Sequence, residues 1–189
     1  IYILIYNDSF GNVNKDKVIS YLESFNSLKS DFIQVNNSGE ILSGNLLVSR
    51  PGKFRIEYKQ IPLLLISDSK RIAIINKDLN NISFHRFDEI PAGVLLFKKL
   101  SLKDINILNL EKKNNTITAH ITDSKFKDYG YIKILFELNP LEMKKWTIVK
   151  NDNTKTEVFF DNIFFDNEIS PEFYNIEKED PRKVPFYIN

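Results

Sequence analysis

The chain has no cysteine, which excludes disulfides, thiolate metal sites, a cysteine nucleophile and a lipidated cysteine within these residues. Histidine is nearly as scarce: His85 and His120 stand far apart and are too few for a histidine-rich metal site. Neither sign of charge dominates. The 26 Lys and Arg against 25 Asp and Glu leave +1, without the concentrated basic excess of a nucleic-acid binder. No apolar run approaches the ~20 residues that span a bilayer as a helix. The longest, Ile1–Tyr6, reads either as the tail of a secretory h-region or as a short strand or ordered arm. Residues 1–14 are accordingly set apart as an arm or signal remnant, and 15–189 are read as a single domain. No Gly-rich phosphate loop, H-E-x-x-H or G-x-S-x-G motif occurs, so nothing points to an enzyme, a cofactor or a metal. Alanine is confined to Ala73, Ala92 and Ala119, which removes the best helix former.

What is there favours strands. The chain has 189 residues, 42% of them hydrophobic, with 15 Phe and 8 Tyr, material for one β-rich domain with a core. One helix stands out: Val18, Tyr21, Leu22, Phe25 and Leu28 recur at three- and four-residue spacing, predicting a helix over 14–29 with Asn14 as its cap. After Ser30 the period becomes two. Phe54, Ile56 and Tyr58 alternate with polar neighbours, as do Ile117, Ala119 and Ile121, and Ile132, Ile134, Phe136 and Leu138 share a face. Leu63–Ile66 and Ile72–Ile75 are apolar on both faces and predict strands covered from both sides. Turn signals between these runs give a meander of nine or ten antiparallel strands. Pro91 followed by apolar Ala92–Lys99 predicts a second helix. A sheet this wide with so few helices suits a curved sheet around a hydrophobic space; a filled core produces the same pattern. Asp161, Asp166 and Glu168 form an acidic group whose spacing fits no known metal loop and reads as strand-end solvation.

Several segments, in order, resemble the LolA family of periplasmic outer-membrane lipoprotein carriers. The run Tyr21–Gln34 is similar to the family's opening helix and strand. Gly44–Tyr58, containing Arg50-Pro51-Gly52 and Phe54-Arg55, resembles its strongest signature. Leu64–Asp68, Lys77-Asp78-Leu79, Asn139-Pro140-Leu141, Trp146 and Asn151–Asn153 follow in sequence, with Phe173 where a terminal aromatic closes the domain. There are departures. Ser69 stands where the family has a glycine, which reads as a turn without positive φ. Asn153 replaces another glycine, at a position Asn tolerates in the left-handed region. Ile56 and Ile74-Ile75 replace aromatics.

The resemblance implies a fold: mainly β with a few helices, an incomplete, strongly curved antiparallel β-barrel with a helical lid over a hydrophobic cavity. It also implies a function, binding the acyl chains of lipoproteins and delivering them from inner to outer membrane in the periplasm of a Gram-negative bacterium. The partners would be lipoprotein cargo, an inner-membrane lipoprotein-releasing transporter and an outer-membrane receptor, and the carrier a monomer. A lipid-binding sensor or regulatory domain on the same fold is the alternative. By strand parity and resemblance, the cavity is assigned to Leu46, Val48, Phe54, Ile56 and Tyr58, and the lid to Leu22, Phe25, Val94, Leu96 and Phe97. Arg50 is expected at the mouth, tying lid to barrel; otherwise it merely begins a turn in solvent.

Overall fold

The computed structural model describes residues 15–86, 105–123 and 130–183. The arm 1–14 and the predicted helix Ala92–Lys99, with its lid candidates Val94, Leu96 and Phe97, lie outside the described residues. A helix, α1 (Lys15–Glu23), precedes eleven strands: β1 (Ser27–Val35), β2 (Ile41–Ser49), β3 (Lys53–Tyr58), β4 (Leu63–Asp68), β5 (Ile72–Asn76), β6 (Asn81–His85), β7 (Ile105–Lys113), β8 (Thr116–Asp123), β9 (Gly130–Glu137), β10 (Glu142–Lys150) and β11 (Lys155–Phe165). A 3-10 turn at Pro171–Tyr174, a short helix α2 (Ile176–Glu179) and a 3-10 turn at Pro181–Lys183 follow.

All eleven strands form one antiparallel sheet in the order β6-β5-β4-β3-β2-β1-β11-β10-β9-β8-β7. The expected single meander is therefore two, β1–β6 and β7–β11, joined where β1 pairs with β11. Laid flat, eleven strands would span about 50 Å. Yet Phe54 and Ile72 on one wing and Ile117 and Ala119 on the other belong to one contiguous core with α1, so the sheet curls around its apolar face. On that face, Gly44 makes room for the Phe32 ring: a Cβ there would meet Phe32 Cζ at 2.6 Å and Glu57 O at 2.3 Å.

The sequence reading of α1 overshoots. The helix stops at Glu23, and the period changes at Ser27, earlier than the change expected after Ser30. Leu28 is buried, but as a strand residue opposite Val48. Local chemistry ends the helix: the Ser24 hydroxyl bonds back to Tyr21 O at 2.8 Å, competing with the helical ladder, and the Asn26 N–H goes to Asp166 Oδ1 at 2.8 Å. Asp166 thus holds the start of β1, beyond simple solvation.

A second, smaller core lies on the opposite face of the sheet. Leu64, Ile66, Ala73, Ile75 and Ile82 are covered by Ile176 of α2, which explains why β4 and β5 read as apolar on both sides. The aromatic that closes this end is Tyr174, buried and bonded to the Ser49 hydroxyl at 2.8 Å. Phe173 is half exposed and contributes its carbonyl, which Arg55 reaches at 3.4 Å. The turn after Asp68 does need a positive φ: Ser69 sits at +80°. Its N–H is taken by Ser67 Oγ at 3.2 Å and its hydroxyl donates to Pro51 O at 2.9 Å, so side-chain bonds hold what a glycine would adopt freely. Asn153, at φ +64°, takes the left-handed turn as expected.

Candidate functional site

Alternation within the strands decides what faces α1. Val48 opposes Phe54 and Leu46 opposes Ile56 across β2 and β3, so all four share the concave face with Tyr58. Leu46, Val48 and Phe54 are buried, and Ile56 and Tyr58 are half-buried against the same core. Tyr58 keeps a polar tip there by donating its hydroxyl to Gln34 Oε1 at 2.9 Å. Burial raises its pKa, with the Gln34 bond working the other way.

Over this face lies α1, with Val18, Ile19 and Leu22 buried and Phe25 buried just past its end. Polar bonds to the sheet flank the apolar contact. Lys15 Nζ donates to Ile107 O at 2.7 Å. Tyr21 Oη accepts the Met143 N–H at 3.1 Å, its ring edge-on to Phe136 and Phe165. Arg50 Nη1 donates to Leu22 O at 2.5 Å and to Phe25 O at 3.0 Å, and its guanidinium stacks over the Phe25 ring at 4.1 Å.

Arg50 is therefore no solvent-facing turn residue. It takes Leu22 O, a carbonyl that the end of α1 leaves without a helical partner, and Phe25 O just past that end, a role to which a guanidinium fork is suited. Burial lowers its pKa to about 10, although Asp166 and Glu23 pull it back up. It stays charged at neutral pH, at a desolvation cost that the carbonyls offset.

Between α1 and the sheet, Leu22, Phe25, Leu28, Val48, Arg50, Met143 and Trp146 meet around a void of about 10 Å³, about the space of one water. The structure brings Arg50, Leu22, Phe25 and Val48 together there; Leu46, Phe54, Ile56 and Tyr58 extend the same face along β2 and β3. Met143 and Trp146 were not nominated from sequence. Trp146 was visible as the one tryptophan on a strand, but a register shift between Met143 and Lys145 hides which of these residues turn inward. Trp146 donates its indole N–H to the Met143 sulfur at 2.8 Å.

A larger groove of about 260 Å³ on the outer face is lined by Glu111, Lys133, Lys145, Lys155 and Glu157 with Thr118, Leu135, Thr147 and Val149. Lys145 and Glu157 pair there at 2.6 Å. So many charges make it unsuited to hydrocarbon. Among the described residues, no group of three or more His, Asp or Glu could hold a metal.

Comparison with known proteins agrees with this geometry. An uncharacterized protein of Rickettsia prowazekii is 24% identical over 164 residues, covering 81% of this chain and 76% of its own length. An outer-membrane lipoprotein carrier protein of Campylobacter jejuni is 25% identical over 139 residues, covering 72% of this chain and 81% of its own. The crystal structure of a LolA superfamily protein from Nitrosomonas europaea superposes with a TM-score of 0.53 at 5% identity, covering 88% of this chain and 99% of that one. The sequence model described as outer membrane lipoprotein carrier protein LolA matches residues 23–177, and the chain belongs to that family.

Proposed function

We propose that this protein carries acylated protein cargo through the periplasm of a Gram-negative cell, from a releasing transporter in the inner membrane to an acceptor in the outer membrane. The concave face takes the acyl chains, α1 serves as lid, and Arg50 as latch. The observation that carries this reading is the way α1 is fixed: an apolar helix face over an apolar sheet face, held at its end by exchangeable bonds from Arg50 to main-chain carbonyls. Beneath α1 there is room for about one water, so an acyl chain seated there requires α1 to move. Each methylene removed from water is worth about 0.8 kcal/mol, so a 16-carbon chain gains about 12 kcal/mol, which is set against the hydrogen bonds of α1 and the apolar face that Val18, Ile19, Leu22 and Phe25 bury. Release follows from the same balance, because the lid recloses over its own apolar face as the chains leave. No catalytic group is needed.

The test is transfer of a purified triacylated lipoprotein from the carrier to acceptor membranes. Arg50→Leu, which keeps an apolar stem but loses the donors, is expected to leave the domain folded and to change the transfer rate. Unchanged transfer with a folded variant removes the latch role. Failure of the wild-type protein to take up lipoprotein removes the carrier reading itself.

A further inference from the structure

Whereas α2 covers the outer face of β4 and β5, the outer face of β8–β11 holds the groove of about 260 Å³ described above. Register sets its lining side by side. Thr147 on β10 is opposite Lys133 on β9 and Glu157 on β11, and Val149, two residues on, is opposite Lys155. Leu135 on β9 lies between Thr118 on β8 and Lys145 on β10. Thr147 is short among these long neighbours and only 7% exposed, so it forms part of the groove's floor. Its hydroxyl, like that of Thr118, makes no hydrogen bond among the described residues, although a polar group withdrawn from water ordinarily has a partner.

The charges around Thr147 are unevenly matched. Glu157 is held by Lys145 at 2.6 Å, and Glu111 accepts from Asn109 at 3.4 Å and lies 3.2 Å from His120 Nε2. Lys133 and Lys155 have no carboxylate partner among the described residues; Lys133 Nζ faces the Tyr131 ring at 5.9 Å. Their Cα atoms stand about 12 Å apart, two strand spacings across and two residues along. Both side chains line the same groove, and their flexible four-carbon stems let both ammonium groups reach a ligand seated over Thr147. We propose that the groove binds a phosphomonoester, with Lys133, Lys155 and the Thr147 hydroxyl as its donors. A terminal phosphate offers three acceptor oxygens, one for each donor, where a diester leaves two free. The groove is larger than one phosphate needs, and Leu135, Val149 and Thr118 are left to meet the group that carries it. This site lies on the face opposite α1 and does not depend on the carrier reading.

The test follows the amide resonances of Thr118, Lys133, Thr147 and Lys155 by NMR during titration with glycerol 3-phosphate, at ionic strength held constant with sodium chloride. Saturable shifts with a Kd of about 1 mM are expected. Dimethyl phosphate, a diester with one charge, should bind about five- to tenfold more weakly. Thr147→Val keeps the branched shape, loses the hydroxyl, and should weaken glycerol 3-phosphate about three- to tenfold. Lys155→Met should weaken it about tenfold, and Lys70→Met, an exposed lysine outside the groove, should leave it unchanged. Retained dispersion of the spectrum shows that each variant is folded. A second arm distinguishes the source, using phosphatidylcholine vesicles with and without phosphatidic acid. Sedimentation with the phosphatidic acid vesicles that Lys155→Met abolishes assigns the phosphate to a lipid headgroup; no sedimentation, with glycerol 3-phosphate still bound, assigns it to a soluble ester. No saturable shift in wild type, equal binding of the diester, unchanged affinity in a folded Thr147→Val, or equal weakening by Lys70→Met would each overturn the site, and none of these outcomes touches the carrier reading.

Discussion

Two apolar clusters lie back to back on this sheet, and each is closed by a helix that reaches it from outside the sheet. The concave cluster is covered by α1 and the outer one by α2. The chemistry of the two closures differs. The outer one is fastened by side-chain ion pairs: Arg55 to Glu179 at 2.8 Å, Lys77 to Glu179 at 3.4 Å, and Arg71 to Glu177 at 2.9 Å. The concave one is fastened by bonds that each use a main-chain group, from Lys15, Arg50 and Met143. In the outer closure both partners of each pair are charged side chains, and Arg55 with Glu179 is the pair held mostly out of water. Main-chain carbonyls and a hydroxyl can be replaced by the oxygens of a ligand. The comparison teaches that two equally buried apolar surfaces can be closed by different chemistry, although burial alone does not tell them apart.

The sharpest way to break the comparison is to make the same cut in both clusters. Ile66→Ala in the outer core and Leu28→Ala beneath α1 each remove a fully buried branch, and each is expected to cost about 2–5 kcal/mol in urea unfolding. With a saturating acyl ligand they should separate. A ligand at 100 times its Kd adds about 2.7 kcal/mol to a protein that binds it only when folded. The added stability should be larger in Leu28→Ala, where the chain fills the new space, than in Ile66→Ala, which should match wild type. Equal gains in both variants would mean that the ligand does not sit on the concave face.

Next in size is Arg55→Met, which keeps the stem and removes the guanidinium. Arg55 is 9% exposed, so Glu179 would be left partly buried with only Lys77. A loss of about 1–3 kcal/mol is expected, with acyl-ligand affinity unchanged, measured by denaturation and titration of the same sample. A changed affinity would couple the two closures and end the distinction between them.

Much of this architecture was legible in the sequence, because period-two alternation is a direct imprint of a half-buried strand. Phe54, Ile56 and Tyr58 and the Ile132–Phe136 run face the core as their parity said. Arg55 was missed: its alternation with Phe54 marks it as wet, and only a segment over a hundred residues away buries it. Arg50 was placed at the mouth by resemblance, yet its two carbonyl partners could not be read from spacing. The end of α1 misled for a related reason. Phe25 and Leu28 are three apart, which satisfies a helix, while Leu28 with Ser30 and Phe32 equally satisfies a strand; the bonds from Ser24 and Asn26 decide between them. Met143 illustrates a further limit, since a register shift inverts the parity on which strand reading depends.

Acid should act on the outer closure through Glu179. Burial alone would raise this carboxyl, but the hydrogen bond and charge of Arg55, with Lys77 behind, outweigh it and hold the pKa below its ordinary value of 4.5. The unfolded chain then takes up the proton first as pH falls. The contribution is present in full above about pH 4.5 and fades as pH drops through the lowered folded value. The stability difference between wild type and Glu179→Gln, about 1 kcal/mol at neutral pH, should therefore shrink as pH falls below 4.5. The penalty of Leu28→Ala, a loss of hydrocarbon contact, should change less over the same range. A pH-independent Glu179→Gln difference would mean that the ion pair does not fasten α2.

The smallest effect concerns Ser69, which lies between the two closures. Its hydroxyl ties the β4–β5 turn to Pro51, next to Arg50, while the same turn presents Arg71 to Glu177. At φ +80° a non-glycine residue bears roughly 1–2 kcal/mol of local strain. The exposed hydroxyl bond returns only the lower part of the usual 0.5–1.5 kcal/mol. Ser69→Gly removes both and should stabilise the domain by about 0.5–1 kcal/mol. Ser69→Ala loses the bond, keeps the strain, and should destabilise by about 0.5–1 kcal/mol. The two variants thus bracket wild type in urea midpoint, in opposite directions. If the hydroxyl matters chiefly by steadying the turn that leads to Arg50, Ser69→Gly should lower stability as Ser69→Ala does, and acyl-ligand affinity should change with it. A gain in stability with acyl-ligand affinity unchanged would show that the turn only connects the two closures, leaving Arg50 to be positioned by α1 and the Phe25 ring.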